Sequence, residues 1–135
     1  MSKSDLSDLS RINLTDDKDQ IINKIKKAKT DSLPMPNNID ELEDRAEAKN
    51  LIGIYSSLSG LSLEKILNQF SGKNFSEFKE NLSQVMVDKI TPISNEIKKL
   101  LVDGDYLDKI LIEGSKKASD LASKKIKKIH EIIGF

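Results

Sequence analysis

The feature that most constrains this chain is the spacing of its apolar residues, which recur every three or four positions along most of its length. Ile21, Ile25 and Ala28 show this spacing near the start, and Leu51 and Tyr55 show it further on. Residues three and four positions apart share one face of an α-helix, so each such stretch predicts a helix with one buried stripe. No alternating run of β-branched residues is long enough to predict a strand. The chain is therefore expected to be all-α.

Breaking and capping residues divide this pattern into a bundle of about five helices. Two prolines and two asparagines mark a connection over residues 31–38, and a glycine follows both the second and the third helical pattern. Pro92 falls inside the fourth pattern, where its missing N–H predicts a kink. Thr15 or Asp16 is expected to cap the first helix. The predicted helices cover about residues 16–30, 42–58, 63–71, 74–102 and 106–133.

The apolar stripes also predict which faces pack. The fourth helix carries a stripe from Phe75 to Leu101, and the last helix has an apolar face between Ala118 and Ile133 that is expected to be buried. Gly114 lies on the same side of the last helix, which predicts the close approach of another helix. A glycine inside a helix otherwise costs up to about 1 kcal/mol against alanine.

Composition narrows the class of protein. The 135 residues fit one domain with a modest core, and 22 Lys and Arg balance 22 Asp and Glu, so nucleic acid would have to be attracted by local charge. The chain has no cysteine and one histidine, so no metal-ligating set is predicted. No apolar run approaches the roughly 20 residues that span a bilayer. We therefore expect a cytoplasmic protein with no membrane partner.

The chain opens with a short polar segment, Met1-Ser2-Lys3-Ser4. Lys3 offers a point charge to a polyphosphate, and the two serines and the backbone amides offer hydrogen-bond donors. By itself the segment is more typical of a disordered N-terminal tail than of a phosphate-binding loop. It becomes informative only together with patterns further along the chain.

A basic stripe runs along the last predicted helix, diluted only by Asp120 and Glu131. On a helical wheel its lysines fall within about a third of the circumference. Such a stripe can neutralise RNA phosphates, although a solvated helix face has the same pattern. It could also meet an acidic protein; a membrane surface is disfavoured because the apolar side lacks Trp and Phe. The stripe consists of Lys116, Lys117, Lys124, Lys127 and Lys128.

Several motifs together resemble one family. The opening tetrapeptide is similar to the end of the KMSKS loop of class I aminoacyl-tRNA synthetases, and the later motifs are similar to helices and turns of the bacterial-type tryptophanyl-tRNA synthetases. The resemblance covers essentially all 135 residues and matches the C-terminal part of that family. The later motifs are Asn50-Leu51-Ile52-Gly53-Ile54-Tyr55, Gly72-Lys73-Asn74-Phe75, Ile90-Thr91-Pro92-Ile93 and Glu113-Gly114-Ser115-Lys116-Lys117-Ala118.

The resemblance implies a division of the chain and roles for its residues. Residues 1–15 would be the remnant of the KMSKS loop, and residues 16–135 a helical tRNA-binding bundle without a Rossmann domain. Lys3 would be the catalytic residue, meeting the pyrophosphate of ATP, while Met1, Ser2 and Ser4 would complete the ATP-binding loop. The lysines of the last helix would contact the anticodon arm of tRNA(Trp). The first Lys of KMSKS is absent, because the chain begins at the Met of that motif.

The same resemblance implies the activity of a longer parent enzyme. That enzyme would join L-tryptophan to tRNA(Trp) with ATP and Mg²⁺, releasing AMP and pyrophosphate, and would be a homodimer. The nucleotide-binding half, with the HIGH motif, has no counterpart in this sequence, so we expect a fragment that forms no adenylate alone and binds no cofactor through its own side chains. The alternative, from another class, is a stand-alone helical interaction module that uses the basic last helix.

Overall fold

The computed structural model describes residues 6–134, which form five α-helices and no strand, so the all-α prediction is confirmed. Two short 3₁₀ turns, Asp8–Ser10 and Asp40–Leu42, precede the first and second helices. Within residues 6–134, no helix is both long enough and apolar enough to cross a bilayer. The helices are α1 (Lys18–Lys27), α2 (Ala46–Ser59), α3 (Leu63–Phe70), α4 (Phe75–Val102) and α5 (Gly104–Ile133).

Side-chain and glycine caps set several helix ends where the sequence predicts them. The Ser62 hydroxyl accepts from the Lys65 N–H at 3.4 Å, and the Asn74 side chain accepts from the Glu77 N–H at 3.0 Å. Gly60 ends α2 in the left-handed region, with φ of 73°, which only glycine adopts at little cost. These local hydrogen bonds satisfy amides that have no partner inside their own helices.

Two helix starts differ from the prediction. The first helix is capped by Asp17, not by Thr15 or Asp16, because the Asp16 carboxylate turns inward to accept from Lys24. The second begins at Ala46, four residues late, since the 3₁₀ turn comes first and Arg45, with φ of −120° and ψ of 68°, breaks the helical path. The side chain of Arg45 is committed to Asp31 instead.

Contacts divide the chain into two units, one ending at Asn95 and the other beginning at Glu96, inside α4. The core of the first unit is built around three aromatic rings from α2, α3 and α4. Tyr55 lies 5.8 Å from Phe70 and 5.7 Å from Phe78, and the rings of Phe70 and Phe78 meet edge to face at 5.2 Å between centroids. Edge-to-face pairs add stability beyond the burial of the rings themselves.

The first helix and the proline-containing connection complete this core. Ile21 and Ile25 of α1 are fully buried, as their spacing predicts. Within the connection, the Met35 N–H donates to the Lys73 carbonyl at 2.8 Å, and the Gly72 N–H donates back to the Met35 carbonyl at 3.2 Å. The connection is thus fixed to the turn between α3 and α4, with the Met35 side chain buried.

Packing predicted for the second unit is wrong. No residue of α5 is buried, and its apolar face, represented by Leu121 at 68% exposure, is open in this structure. The end of the α4 stripe is open too, with Leu101 at 67% exposure. A Cβ added to Gly114 would meet no atom within 4 Å, so the expected close contact at this glycine is not seen within the second unit. An amphipathic pattern identifies a face that gains from burial, but it does not identify what covers that face.

Candidate functional site

The two predicted groups of functional residues differ in what the structure shows of them. Met1, Ser2, Lys3 and Ser4 lie outside the described residues. The lysines predicted to bind tRNA all lie on α5 in the second unit, and each is exposed: Lys116, Lys117, Lys124, Lys127 and Lys128. The first segment after the tetrapeptide that the structure describes covers residues 6–17.

This segment folds into a compact hydrogen-bonded turn. The Ser7 hydroxyl caps the 3₁₀ turn by accepting from the Leu9 N–H at 3.3 Å. Asn13 then joins both ends of the segment, because its side-chain amide donates to Asp8 at 2.9 Å and its backbone N–H donates to Asp16 at 2.9 Å. The chain between Asp8 and Asp16 is thus closed into a loop by polar contacts.

Lys24 of α1 fixes this loop to the helical bundle. Its ammonium group lies 2.7 Å from a carboxylate oxygen of Asp8 and 2.7 Å from one of Asp16. The Lys24 and Asp16 side chains are only 4% and 5% exposed, whereas the Asp8 side chain is 57% exposed. A buried ammonium is tolerated only when it is paired and hydrogen-bonded, so the two carboxylates are what keep Lys24 inside.

The charges of this ion-pair cluster stabilise one another. Burial by itself would lower the pKa of Lys24, but its hydrogen bonds to Asp16 and Asp8 more than offset that effect, so the pKa is raised. The hydrogen bond from Lys24, helped by that from Asn13, lowers the pKa of Asp8. Both partners of the Lys24–Asp8 contact therefore remain charged around neutral pH.

Reasoning from the sequence missed this cluster. The sequence predicts Asp16 as a possible cap of the first helix, which is a common role for an aspartate there, and it predicts no buried ion pair. The available signal was the position of Lys24, three residues after Ile21 and four before Ala28, which places it on the buried stripe. A lysine on a buried stripe requires an acidic partner, and Asp8 and Asp16 both precede it.

A second polar cluster lies beside an open depression of about 650 Å³ in the first unit. Arg45 binds Asp31 through two parallel hydrogen bonds of 2.8 and 2.6 Å, and its guanidinium lies 5.6 Å from the centre of the Phe75 ring. The hydrogen bonds from Arg45 lower the pKa of Asp31. Because both carboxylate oxygens of Asp31 accept hydrogen bonds from Arg45, we interpret the pair as structural: it holds the connection at residues 31–38 in place.

Lys79 forms another wall of this depression. It donates to the carbonyl of Ala28, at the carboxyl end of α1, over 2.7 Å. A cation is favourable there because the last carbonyls of a helix carry partial negative charge. Burial lowers the pKa of Lys79. Its contact ties α4 to α1 and is therefore structural.

The described residues do not offer a ligand set for a divalent cation. Residues 6–134 contain no group of three or more His, Cys, Asp or Glu side chains arranged to hold a metal ion. The carboxylates of Asp8 and Asp16, which lie close together, are occupied by the ammonium of Lys24.

The α5 lysines form a surface of positive charge suited to a polyanion. All five are exposed, and none forms an ion pair within the part of the chain that the structure describes. Lysines without an acidic partner are available to pair with phosphate, and binding to phosphates weakens steeply as the salt concentration rises. Such a surface suits the phosphates of RNA and of other polyanions.

Comparisons with known proteins agree with the resemblance. The family model described as "tRNA synthetases class I (W and Y)" matches residues 1–90. The tryptophan–tRNA ligase of Rhizobium meliloti is 47% identical over all 135 residues, and that of Brucella melitensis biotype 1 is 44% identical. The chain covers 38% of each of these proteins. A third relative, the tryptophan–tRNA ligase of Rickettsia felis, is 47% identical, with 40% of its length covered.

The match spans the tetrapeptide, the Lys24 ion-pair cluster and the aromatic core, so it covers the greater part of the chain rather than one short motif. The chain therefore belongs to the class I tRNA synthetase family that comprises the tryptophan and tyrosine enzymes.

Proposed function

We propose that this chain is the helical, tRNA-facing part of a tryptophan–tRNA ligase. The observation that carries the proposal is the identity of 44–47% to tryptophan–tRNA ligases along all 135 residues. The chain spans about two-fifths of the length of those relatives, so the complete reaction would need the remaining part of the enzyme. The same identity argues against an independent interaction module, because it covers the core as well as the basic helix.

In this proposal the N-terminal tetrapeptide serves the first half-reaction. ATP and L-tryptophan form an adenylate when the tryptophan carboxylate attacks the α-phosphate of ATP and pyrophosphate departs. Lys3 would stabilise the charge that develops on the departing phosphates, with Met1, Ser2 and Ser4 completing the loop around them. Residues 1–15 would act as this loop, and residues 16–135 as the tRNA-binding bundle.

The basic helix serves the second half-reaction by holding the tRNA. In the proposal, the α5 lysines pair with phosphates of the anticodon arm of tRNA(Trp), and their exposure supports this role. Such contacts position the RNA without reading its bases. The complete enzyme would be a cytoplasmic homodimer that uses ATP with Mg²⁺ and has no membrane partner.

A composite ligase tests the proposal. In it, this chain replaces the matching segment of the Rhizobium meliloti enzyme, and tryptophan-dependent exchange of pyrophosphate into ATP reports adenylate formation. We expect pyrophosphate exchange by the composite ligase and none by the 135-residue chain alone. Lys3→Ala should lower the exchange rate of the composite ligase by at least about a hundredfold. A folded composite ligase without exchange, or undiminished exchange after Lys3→Ala, would contradict the proposal.

Filter binding of tRNA tests the basic helix separately. Replacing Lys124, Lys127 and Lys128 by Gln should weaken binding of tRNA(Trp) to the composite ligase. It should also flatten the dependence of binding on salt, because fewer phosphates are then neutralised and fewer counterions are released. The matched control is Lys125→Gln on the other side of α5, which removes an exposed lysine outside the stripe. Equal effects per lysine inside and outside the stripe would contradict a specific tRNA face.

A further inference from the structure

We infer that Lys24 is a positioning residue for the ATP loop: by binding Asp8 from inside the bundle, it fixes the turn that follows the tetrapeptide in the sequence. The inference rests on the proposed function and adds to it a residue far along the sequence from the loop motif. Asp8 and Lys24 are 16 positions apart, yet their charged atoms are 2.7 Å apart.

The pairing of Lys24 is more extensive than its burial requires. Asp16, itself buried, already supplies a charged hydrogen-bond acceptor at 2.7 Å. Asp8 is a second acceptor from an exposed turn, and it accepts from Asn13 as well. An ammonium group has three donors, so Lys24 can bind both carboxylates at once. The contact with Asp8 thus links the N-terminal segment to α1, beyond what neutralises the buried charge.

The position of Asp8 in the sequence makes this link relevant to the loop. Ser4 precedes Asp8 by four residues. The turn at Asp8 therefore lies close behind the tetrapeptide in the sequence, within the part of the chain that the structure describes. Catalysis requires charged groups to be held close to their productive position, and misplacement by about 1 Å can cost a hundredfold in rate. Releasing Asp8 should therefore affect the step that uses ATP.

Hydrogen exchange of the 135-residue chain tests whether Asp8, which binds Lys24, Asn13 and Arg11, anchors the segment. Asp8→Ala should speed exchange of the amides that the turn protects, those of Ser10, Arg11 and Asn13, by about fivefold or more. The matched control is Asp19→Ala, an exposed carboxylate in the first turn of α1. Unchanged exchange in Asp8→Ala, or equal acceleration in both variants, would overturn the anchor.

Kinetics of the composite ligase test whether the anchor serves the ATP loop. We expect Asp8→Ala to lower kcat/KM for ATP in pyrophosphate exchange by about five- to tenfold, with KM for tryptophan and the melting temperature unchanged, while Asp19→Ala has no effect. Lys24→Met should cause the same ATP defect in the fraction that folds.

The possible outcomes separate the positioning role of Lys24 from the proposed ligase function. If Asp8→Ala changes ATP and tryptophan kinetics equally, or matches Asp19→Ala, the positioning role is wrong although the ligase is active. If the unmodified composite ligase folds but shows no exchange, the proposed function is wrong, and the role of Lys24 toward ATP is overturned with it. The hydrogen-exchange result then still shows whether Asp8 holds the segment.

Discussion

Asp31 and Arg45 illustrate how one residue pair can fix a long connection. The guanidinium holds the carboxylate through two hydrogen bonds, and Asp31 also accepts from the Leu33 N–H at 2.9 Å, which shapes the start of the proline-containing segment. Planar, bidentate pairs of this kind are the stronger class of ion pair. Because the hydrogen bonds from Arg45 lower the pKa of Asp31, the pair contributes to stability in a pH-dependent way.

The sign of that dependence can be predicted. A carboxyl group with a lowered folded-state pKa stabilises the fold above its unfolded pKa of about 3.9, and the contribution is lost as the pH falls through the folded-state value. Asp31→Asn should therefore lower the free energy of unfolding near pH 7 and narrow its difference from the wild type near about pH 2. Urea unfolding at both pH values measures this. An equal loss at both would show that the charge of Asp31 is not involved.

At the level of elements, two glycines occupy opposite backbone conformations. Gly60 ends α2 with φ of 73°, whereas Gly114 lies inside α5 with open space where a Cβ would point. The first position needs glycine because an L-residue in the left-handed region is strained. The second gains nothing from glycine within this structure, and a helix interior favours alanine by up to about 1 kcal/mol.

The same substitution should thus have opposite effects at these two sites. Gly114→Ala is expected to increase the helicity and thermal stability of α5, and Gly60→Ala to destabilise the first unit by about 1 kcal/mol. Circular dichroism at 222 nm during heating and urea unfolding measure the two effects. If Gly114→Ala lowered stability, another segment would have to approach α5 closely there.

Element types and several ends could be predicted from the sequence because they depend on local chemistry. Ser62, Asn74 and Gly60 act on amides and carbonyls within a few residues, so the pattern alone identifies them. The start of α1 could not be predicted, since Asp16 is drawn inward by Lys24, eight residues away. Contacts beyond the first helical turn decide between neighbouring capping residues, and the capping pattern alone does not include them.

For the whole molecule, buried apolar area is concentrated in the first unit. Leu82 of α4 is fully buried, while Leu121 of α5 is 68% exposed, although both lie on predicted apolar stripes. Sequence periodicity assigns these two leucines the same role. The difference depends on whether a partner surface exists, and periodicity carries no information about a partner.

Alanine substitutions should measure this contrast directly. Leu82→Ala is expected to cost about 2–5 kcal/mol in the free energy of unfolding, because it removes buried methyl groups and leaves a cavity. Leu121→Ala in the isolated chain should change it by less than about 0.5 kcal/mol. Chemical denaturation of both variants at the same protein concentration gives the comparison. A large cost at Leu121 would mean that the α5 face is covered in solution.

Of the candidate site, only the groups that form a sequence motif could be predicted. The tetrapeptide and the α5 lysines are contiguous or periodic motifs, and such motifs can be read from residue order. The Lys24 ion-pair cluster brings together residues of three separate stretches around Asp8, Asp16 and Lys24, and the sequence indicates only that Lys24 lies on the buried stripe, without showing which carboxylates pair with it. Its charges offset one another locally, so they leave little trace in net charge.

Aminoacylation of tRNA by the composite ligase tests the central claim most directly. If this chain is the tRNA-facing part of a tryptophan–tRNA ligase, the composite ligase charges tRNA(Trp) with tryptophan and leaves a non-cognate tRNA uncharged, and substitution of the α5 lysines raises KM for tRNA more than it changes adenylate formation. A folded composite ligase that forms the adenylate yet charges neither tRNA, or charges both equally, would contradict the account.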